Sequence, residues 1–306
     1  QYLRQIPDEI IEKDYGCGDP SRHVKEGETV LDLGSGGGKI CYIASQIVGA
    51  RGRVIGVDMN DEMLSLARGY QDEMASRLGY GNVSFLKGRI QDLTLDRDRL
   101  DVWLQEHPVL DETSLRRFEE HVAGERQHHP LVDSDSIDVV LSNCVLNLVD
   151  DAQKVQLFSE IFRVLRRGGR AALSDIVADE PVPLHLKQDD TLWSGCISGA
   201  MEETAFVEAF VDTGFYGVEI AKRDPEPWQT VDGIEFRSVT VVAYKGKEGE
   251  CWDHNEALIY KGPFGRVTDD DGHTFVRGER AAVCRKTYEI YSKEPYAAQF
   301  ERVEPL

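Results

Sequence analysis

The sequence predicts an α/β protein: a mostly parallel sheet with helices on both faces, followed by a small β-rich C-terminal unit. Three observations predict it. Short apolar strands alternate with helical stretches between Thr29 and Asp175, a glycine-rich loop joins the first strand to the first helix, and the pattern turns β-rich after Gly214.

Thr29–Leu33 reads as a strand running into Asp32-Leu33-Gly34-Ser35-Gly36-Gly37-Gly38, with a helix over about Lys39–Val48. Arg53–Asp58 is a second strand that closes on an acid. Asn60 can cap the next helix, whose apolar stripe takes in Met63, Leu64, Ala67, Met74 and Leu78. Val83–Lys87, Ile137–Ser142 and Arg170–Asp175 are the third to fifth strands, and Ala152–Leu165 is a helix. Leu93–Pro130 breaks the rhythm. It is polar, carries both charge signs and reads as a helical surface insertion with a solvated face. Tyr216–Lys222 and Phe236–Tyr244 are expected to finish the main sheet, and Glu256–Tyr260 and Thr287–Tyr291 to be strands of the last unit. The expected organisation is an N-terminal segment 1–28 that covers the site, a main domain 29–245 carrying the insertion 93–130, and a C-terminal unit 246–306.

The formal net charge of −20 over 306 residues repels phosphate backbones and anionic headgroups, so neither nucleic acid nor a membrane surface is an expected partner. No apolar run reaches the roughly 20 residues that span a bilayer. Gln1–Glu12 is charged and does not read as a signal peptide. Six scattered cysteines do not make a secreted disulfide scaffold; they read as reduced thiols of a cytoplasmic protein.

The glycine loop discriminates between cofactors. A dinucleotide site requires Gly-x-Gly-x-x-Gly, and the third glycine falls on Lys39 or Cys41 in the two possible frames. The spacing acid-x-Gly-x-Gly-x-Gly fits Asp32, Gly34, Gly36 and Gly38. That arrangement suits S-adenosylmethionine. An acid can hold the ammonium, and glycines let the main chain approach the methionine portion. Asp58 is placed to accept the ribose hydroxyls. Ile90 can pack on the adenine, with Gln91 or Asp92 receiving its amino group. Ser35, Met59 and Asn143 complete the expected cofactor set.

Ligands of such sheets bind beyond the carboxyl ends of the strands. Cys41 follows the glycine loop, Cys144 follows the fourth strand, Cys196 lies in a loop beyond the fifth, and Cys17 precedes the first. Singly, each can be a small buried hydrophobe. Together they place three or four thiols where the transferable methyl should lie. Structural zinc usually draws on close Cys-x(2–4)-Cys pairs, which this chain lacks, whereas a soft ion suits separated thiolates.

Tyr15-Gly16-Cys17-Gly18, the loop from Asp32 through Cys41-Tyr42, Ser142-Asn143-Cys144-Val145-Leu146-Asn147-Leu148, and Cys196 followed by Ser198-Gly199-Ala200 resemble the arsenite S-adenosylmethionine methyltransferase family. The resemblance implies a Rossmann-like class I methyltransferase fold with a mostly parallel seven-stranded sheet. It implies a methyl acceptor of thiol-bound trivalent arsenic, arsenite or methylarsenite. By resemblance Cys144 and Cys196 bind arsenic, Cys41 is a third thiol for binding or disulfide relay, and Cys17 belongs to that relay. Methylation formally oxidises arsenic, so a thiol reductant such as thioredoxin or glutathione is an implied partner. The rival readings are a methyltransferase for a carbon, oxygen or nitrogen acceptor, and a non-catalytic protein that binds S-adenosylmethionine or a metalloid.

Overall fold

The computed structural model describes residues 2–13, 15–269 and 271–305. After a short helix α1 (Asp8–Glu12), the chain alternates β1 (Thr29–Leu33), α2 (Lys39–Val48), β2 (Arg53–Asp58), α3 (Asp61–Gly69), α4 (Gln71–Leu78) and β3 (Val83–Lys87). Helices α5 (Arg97–Glu106) and α6 (Glu112–His128) come next, then β4 (Ile137–Asn143), α7 (Asp151–Val164) and β5 (Leu165–Ala178). The short α8 (Leu184–Lys187), α9 (Asp190–Ser194) and β6 (Met201–Glu202) lead to α10 (Glu203–Thr213). Strands β7 (Tyr216–Arg223), β8 (Gln229–Val231) and β9 (Ile234–Tyr244) close the main body.

The main path of the sheet runs β3-β2-β1-β4-β5-β9-β7, with β6 beside β5 and β8 beside β9. The pairs from β3 to β5 are parallel, and β9 pairs antiparallel with both β5 and β7. The chain therefore works outward from β1 and then returns to β4 on the other side of β1. This reversal opens a crevice at the carboxyl ends of β1 and β4. One face of the sheet buries Leu31, Val140, Phe158, Ile161, Phe206 and Phe210 under α7 and α10. The other buries Val30, Val54, Tyr42, Ala44, Leu64 and Met74 under α2–α4.

Local chemistry sets the boundaries. Asn60 caps α3 through bonds from Glu62 N and Met63 N. The single helix expected over 60–78 is divided at Tyr70, whose N–H turns back to Arg68 O. Asp111 and Ser114 form a reciprocal capping box at α6. That helix buries no residue, as its two-sided charge pattern implied. Trp103 of α5 stacks between His107 and His121, with centroids 4.6 and 4.4 Å away. Buried Arg170 of β5 bonds both oxygens of Glu28 at 2.8 Å and also the His23 carbonyl, which ties the N-terminal segment to the sheet.

The C-terminal residues build β10 (Glu256–Tyr260), the hairpin β11 (Arg266–Thr268) and β12 (Thr274–Val276), β13 (Arg280–Val283), α11 (Arg285–Tyr291) and β14 (Phe300–Val303). Strand β10 lies between β13 and β14. Thr287–Tyr291, expected as a strand, is helical. Thr287, Tyr288 and Ile290 are buried, and the i, i+3 pair Thr287 and Ile290 shares one helical face over the β10 core. Aromatic and β-branched composition pointed to strand; period decided for helix.

Candidate active site

The glycine loop leaves β1 with positive φ at Gly34 (68°), Gly36 (51°) and Gly38 (90°). A Cβ on Gly34 would stand 2.3 Å from Val145 Cγ1, so only glycine lets the loop pass the segment after β4. Gly36 N donates to Asp58 Oδ2 at 2.8 Å, and Asn60 N donates to Asp58 Oδ1 at 2.8 Å. The carboxylate at the end of β2 is thereby fixed beside the loop.

A cavity of about 370 Å³ opens here. Of the residues expected to bind the cofactor, Asp32, Gly34, Ser35, Gly36, Asp58, Met59, Ile90, Gln91 and Asn143 line it. Ile10, Lys13 and Tyr15 close it from the N-terminal segment, and Met63 and Leu148 add apolar walls. The residues present fit S-adenosylmethionine. Asp32 begins the loop and Asp58 stands beside it; among the described residues the buried Ser35 Oγ has no partner and a Cβ on Gly36 would meet nothing within 4 Å.

Three expectations are corrected. Gly38 does not line the cavity. It is the left-handed residue that starts α2, packed against the Phe85 ring. Asn143 lines the cavity, but its side chain is committed elsewhere. Its Oδ1 accepts from Cys17 N (3.1 Å) and Gly18 N (2.9 Å), and its Nδ2 donates to Gly18 O (3.1 Å). It therefore clamps the N-terminal loop. Asp92 is turned to the insertion, where Arg126 Nη2 meets it at 2.6 Å, and it does not line the cavity.

The thiols form a second recess of about 380 Å³, lined by Cys17, Cys144, Cys196, Ile176, Trp228 and Asp224 among others. Cys144, Tyr15 and Gly16 line both cavities, so the two are neighbours through Cys144. Cys17 and Cys144 are joined by a disulfide with Cα atoms 5.7 Å apart. This corrects the expectation of uniformly reduced thiols. A fold that clamps two cysteines from distant segments side by side makes their oxidation favourable in spite of the 127-residue separation. The clamp explains Tyr15-Gly16-Cys17-Gly18. A Cβ on Gly16 would lie 2.0 Å from Asn143 Nδ2, and one on Gly18 would lie 2.5 Å from Ser174 Oγ.

Cys144 and Cys196 share an uncommon backbone state, each with φ of 60°. Strain of this kind is held by surrounding bonds and concentrates at functional sites. Cys144 N donates to Ser174 O at 2.8 Å. Asn147 Nδ2 donates to Ile176 O (2.7 Å) and Cys196 O (3.1 Å), pinning the Cys196 loop beside the Cys144 segment. The Cys196 Sγ lies 3.5 Å from Cys144 O.

Cys41 is not brought to this recess. Its side chain turns into the core, fully buried, and donates to Asp32 Oδ2 at 3.2 Å. Burial first, then the charge of Asp32, raises its pKa far above the ordinary thiol range. It borders neither cavity. The helical turn after the loop points residue 41 at the sheet, against Gly56, rather than at the cleft.

The sequence reading missed Asp175. It is fully buried, and one of its oxygens lies within 4.8 Å of both Cys17 and Cys144 sulfurs. It accepts from Ile176 N (2.8 Å) and Leu146 N (2.9 Å). Burial raises its pKa to about 6, against the pull of these bonds. Its place after an apolar run is the same signal that marked Asp58. Trp228 and Asp224 carried no such signal, since the β7–β8 turn brings them in.

Burial, with Asp175 nearby, pushes the Cys196 thiol up to about 12. In the oxidised protein, iodoacetamide should therefore alkylate Cys196 at pH 7 at least a hundredfold more slowly than an ordinary cysteine of pKa ~8.5. The rate should climb about tenfold per pH unit through pH 9. A rate that levels off between pH 8 and 9 would show an ordinary thiol.

The sequence pattern of a methyltransferase domain matches residues 24–128 and 111–217, and that of a domain of unknown function (DUF8838) matches residues 247–306. An arsenite methyltransferase of Aquipseudomonas alcaligenes is 32% identical over 98% of this chain and 80% of its own length. That of Mus musculus is 29% identical over 97% of this chain and 73% of its own. The crystal structure of an arsenic(III) S-adenosylmethionine methyltransferase from Chlamydomonas reinhardtii superposes with a TM-score of 0.66 at 28% identity, covering 99% of this chain and 94% of that one.

Proposed function

Since the chain belongs to the arsenite methyltransferase family, whose members use S-adenosylmethionine, we propose that Cys17, Cys144 and Cys196 hold trivalent arsenic at the rim of the cofactor cleft for methylation. The observation that carries this reading is that Cys144 lines both cavities while bonded to Cys17 and flanked by the Cys196 loop. Reduction of the disulfide frees two thiols beside a third.

S-adenosylmethionine supplies an electrophilic methyl on a sulfonium. In this reading Asp32 binds its ammonium, Asp58 its ribose, and Ile90 and Gln91 the adenine. Arsenic held by three sulfurs keeps a lone pair, so the attacking atom has no proton to lose and needs no general base. The work of the chain would be to hold arsenic within attacking reach of the methyl. Capture of arsenite replaces each As–O bond by an As–S bond, with the thiol proton leaving on the hydroxide as water. Asp175, buried within 4.8 Å of both sulfurs, is the group we assign to carry that proton.

Methylation leaves arsenic formally pentavalent. Closure of the Cys17–Cys144 disulfide returns two electrons to it, giving a methylated trivalent product. The bonded pair observed here then corresponds to the enzyme after turnover, and a thiol reductant of the thioredoxin or glutathione type resets it. The test is incubation with arsenite and labelled S-adenosylmethionine, with and without reductant. Pre-reduced protein alone should stop after about one methyl per chain, and added reductant should restore continuous turnover. Many turnovers at an equal rate without reductant would overturn the redox assignment. In the described residues no helix is long and apolar enough to cross a membrane.

A further inference from the structure

The C-terminal unit holds a second pair of thiols that the chemistry above does not use. Cys251 precedes β10, and Cys284 stands between β13 and α11. Antiparallel pairing sets Glu256 opposite Val283, which brings both cysteines to the same end of the sheet. There Arg285 N donates to Trp252 O at 2.7 Å, locking the two segments together. That bond joins the chain neighbours of the two cysteines and so holds Cys251 beside Cys284, whose Sγ lies 3.3 Å from Thr287 Oγ1. Cys251 is exposed and Cys284 half-buried.

Partial burial raises the Cys284 pKa, but bonds from Thr287, from nearby backbone N–H groups and from Cys251 outweigh it and leave the pKa below the ordinary thiol value. The site thus pairs a thiolate-prone sulfur with an accessible one. Among the described residues no third His, Cys, Asp or Glu completes a metal cluster there, so a tetrahedral zinc site does not form. Two sulfurs do satisfy a soft trivalent atom that already carries one carbon.

We propose that Cys251 and Cys284 bind a monosubstituted trivalent arsenical as a dithiolate chelate, a product-binding site separate from the methylation cleft. The proposal rests on the reading that this chain methylates trivalent arsenic. One methylation leaves arsenic with a carbon and two exchangeable positions, and a dithiol fills both. In the reaction CH3As(OH)2 + 2 RSH → CH3As(SR)2 + 2 H2O, two As–O bonds break, two As–S bonds form and nothing is oxidised.

The test uses the 306-residue chain carrying C17S/C144S/C196S, which removes the cleft thiols, with phenylarsine oxide as the monosubstituted probe and a phosphine as reductant. Native mass spectrometry should show one phenylarsenic per chain. The adduct should disappear when C251S or C284S is added. Ser is a good helix N-cap, so C284S preserves the start of α11. No adduct on the triple variant, or an adduct that persists without both Cys251 and Cys284, overturns the proposal. The C251S/C284S protein, with its cleft intact, should methylate arsenite at the unaltered rate. Failure of the cleft reading registers differently, as arsenite methylation that survives C17S/C144S/C196S.

Discussion

Replacing Cys196 by Ser should lower arsenite methylation by roughly a hundredfold or more while S-adenosylmethionine binding changes by no more than about twofold. Cys196 lines the thiol recess but not the cofactor cavity, so the two readouts separate. A hydroxyl is a poor ligand for a soft ion, and in the proposed site arsenic held by two sulfurs instead of three would lose its position over the methyl. Small displacements at such a centre cost about a hundredfold. Cys144→Ser should behave similarly and also prevent the disulfide with Cys17. Rates measured by labelled-methyl transfer, with affinity from calorimetry, decide the matter. Undiminished turnover in both variants would discard the thiol site.

Asp58→Ala is expected to have the second largest effect, on affinity. The Asp58 carboxylate borders the cavity and already holds Gly36 N and Asn60 N at 2.8 Å. On the proposed assignment its removal deletes charge-assisted acceptors for the ribose, and it releases the backbone of the glycine loop. Hydrogen bonds to charged groups contribute about 1.5–3 kcal/mol each, so a loss of about 2.8 kcal/mol, a hundredfold in Kd, is expected. Asp58→Asn keeps an oxygen for Gly36 N and should fall between. A calorimetric Kd that Asp58→Ala leaves unmoved would remove Asp58 from the cofactor site.

Much of this was legible because it is local. Asp32, Gly34, Ser35, Gly36, Asp58 and Met59 sit within one turn of a strand end, and a strand of known direction delivers its last residue to the cleft. The helix cap at Asn60 and the solvated insertion helix follow from side chains and their near neighbours. The same logic failed at Cys41, where proximity in sequence to the glycine loop suggested a place in the cleft. One helical turn rotated its thiol to the core instead. It failed again at Asn143, whose amide is taken by Cys17 and Gly18, more than a hundred residues away in the chain.

The order of residues alone carries the alternation of strands and helices, the loop chemistry suited to S-adenosylmethionine, and the placing of thiols after strand ends. These depend on backbone period, glycine freedom and residue type, which act over a few residues. The bond of Cys17 to Cys144, the buried Asp175 beside them, the exclusion of Cys41 and the approach of the Cys251 and Cys284 segments appear only in the folded chain. Each of these is a contact between distant segments, and it depends on the crossover from β3 back to β4 or on the pairing of β10 with β13, which no local preference encodes.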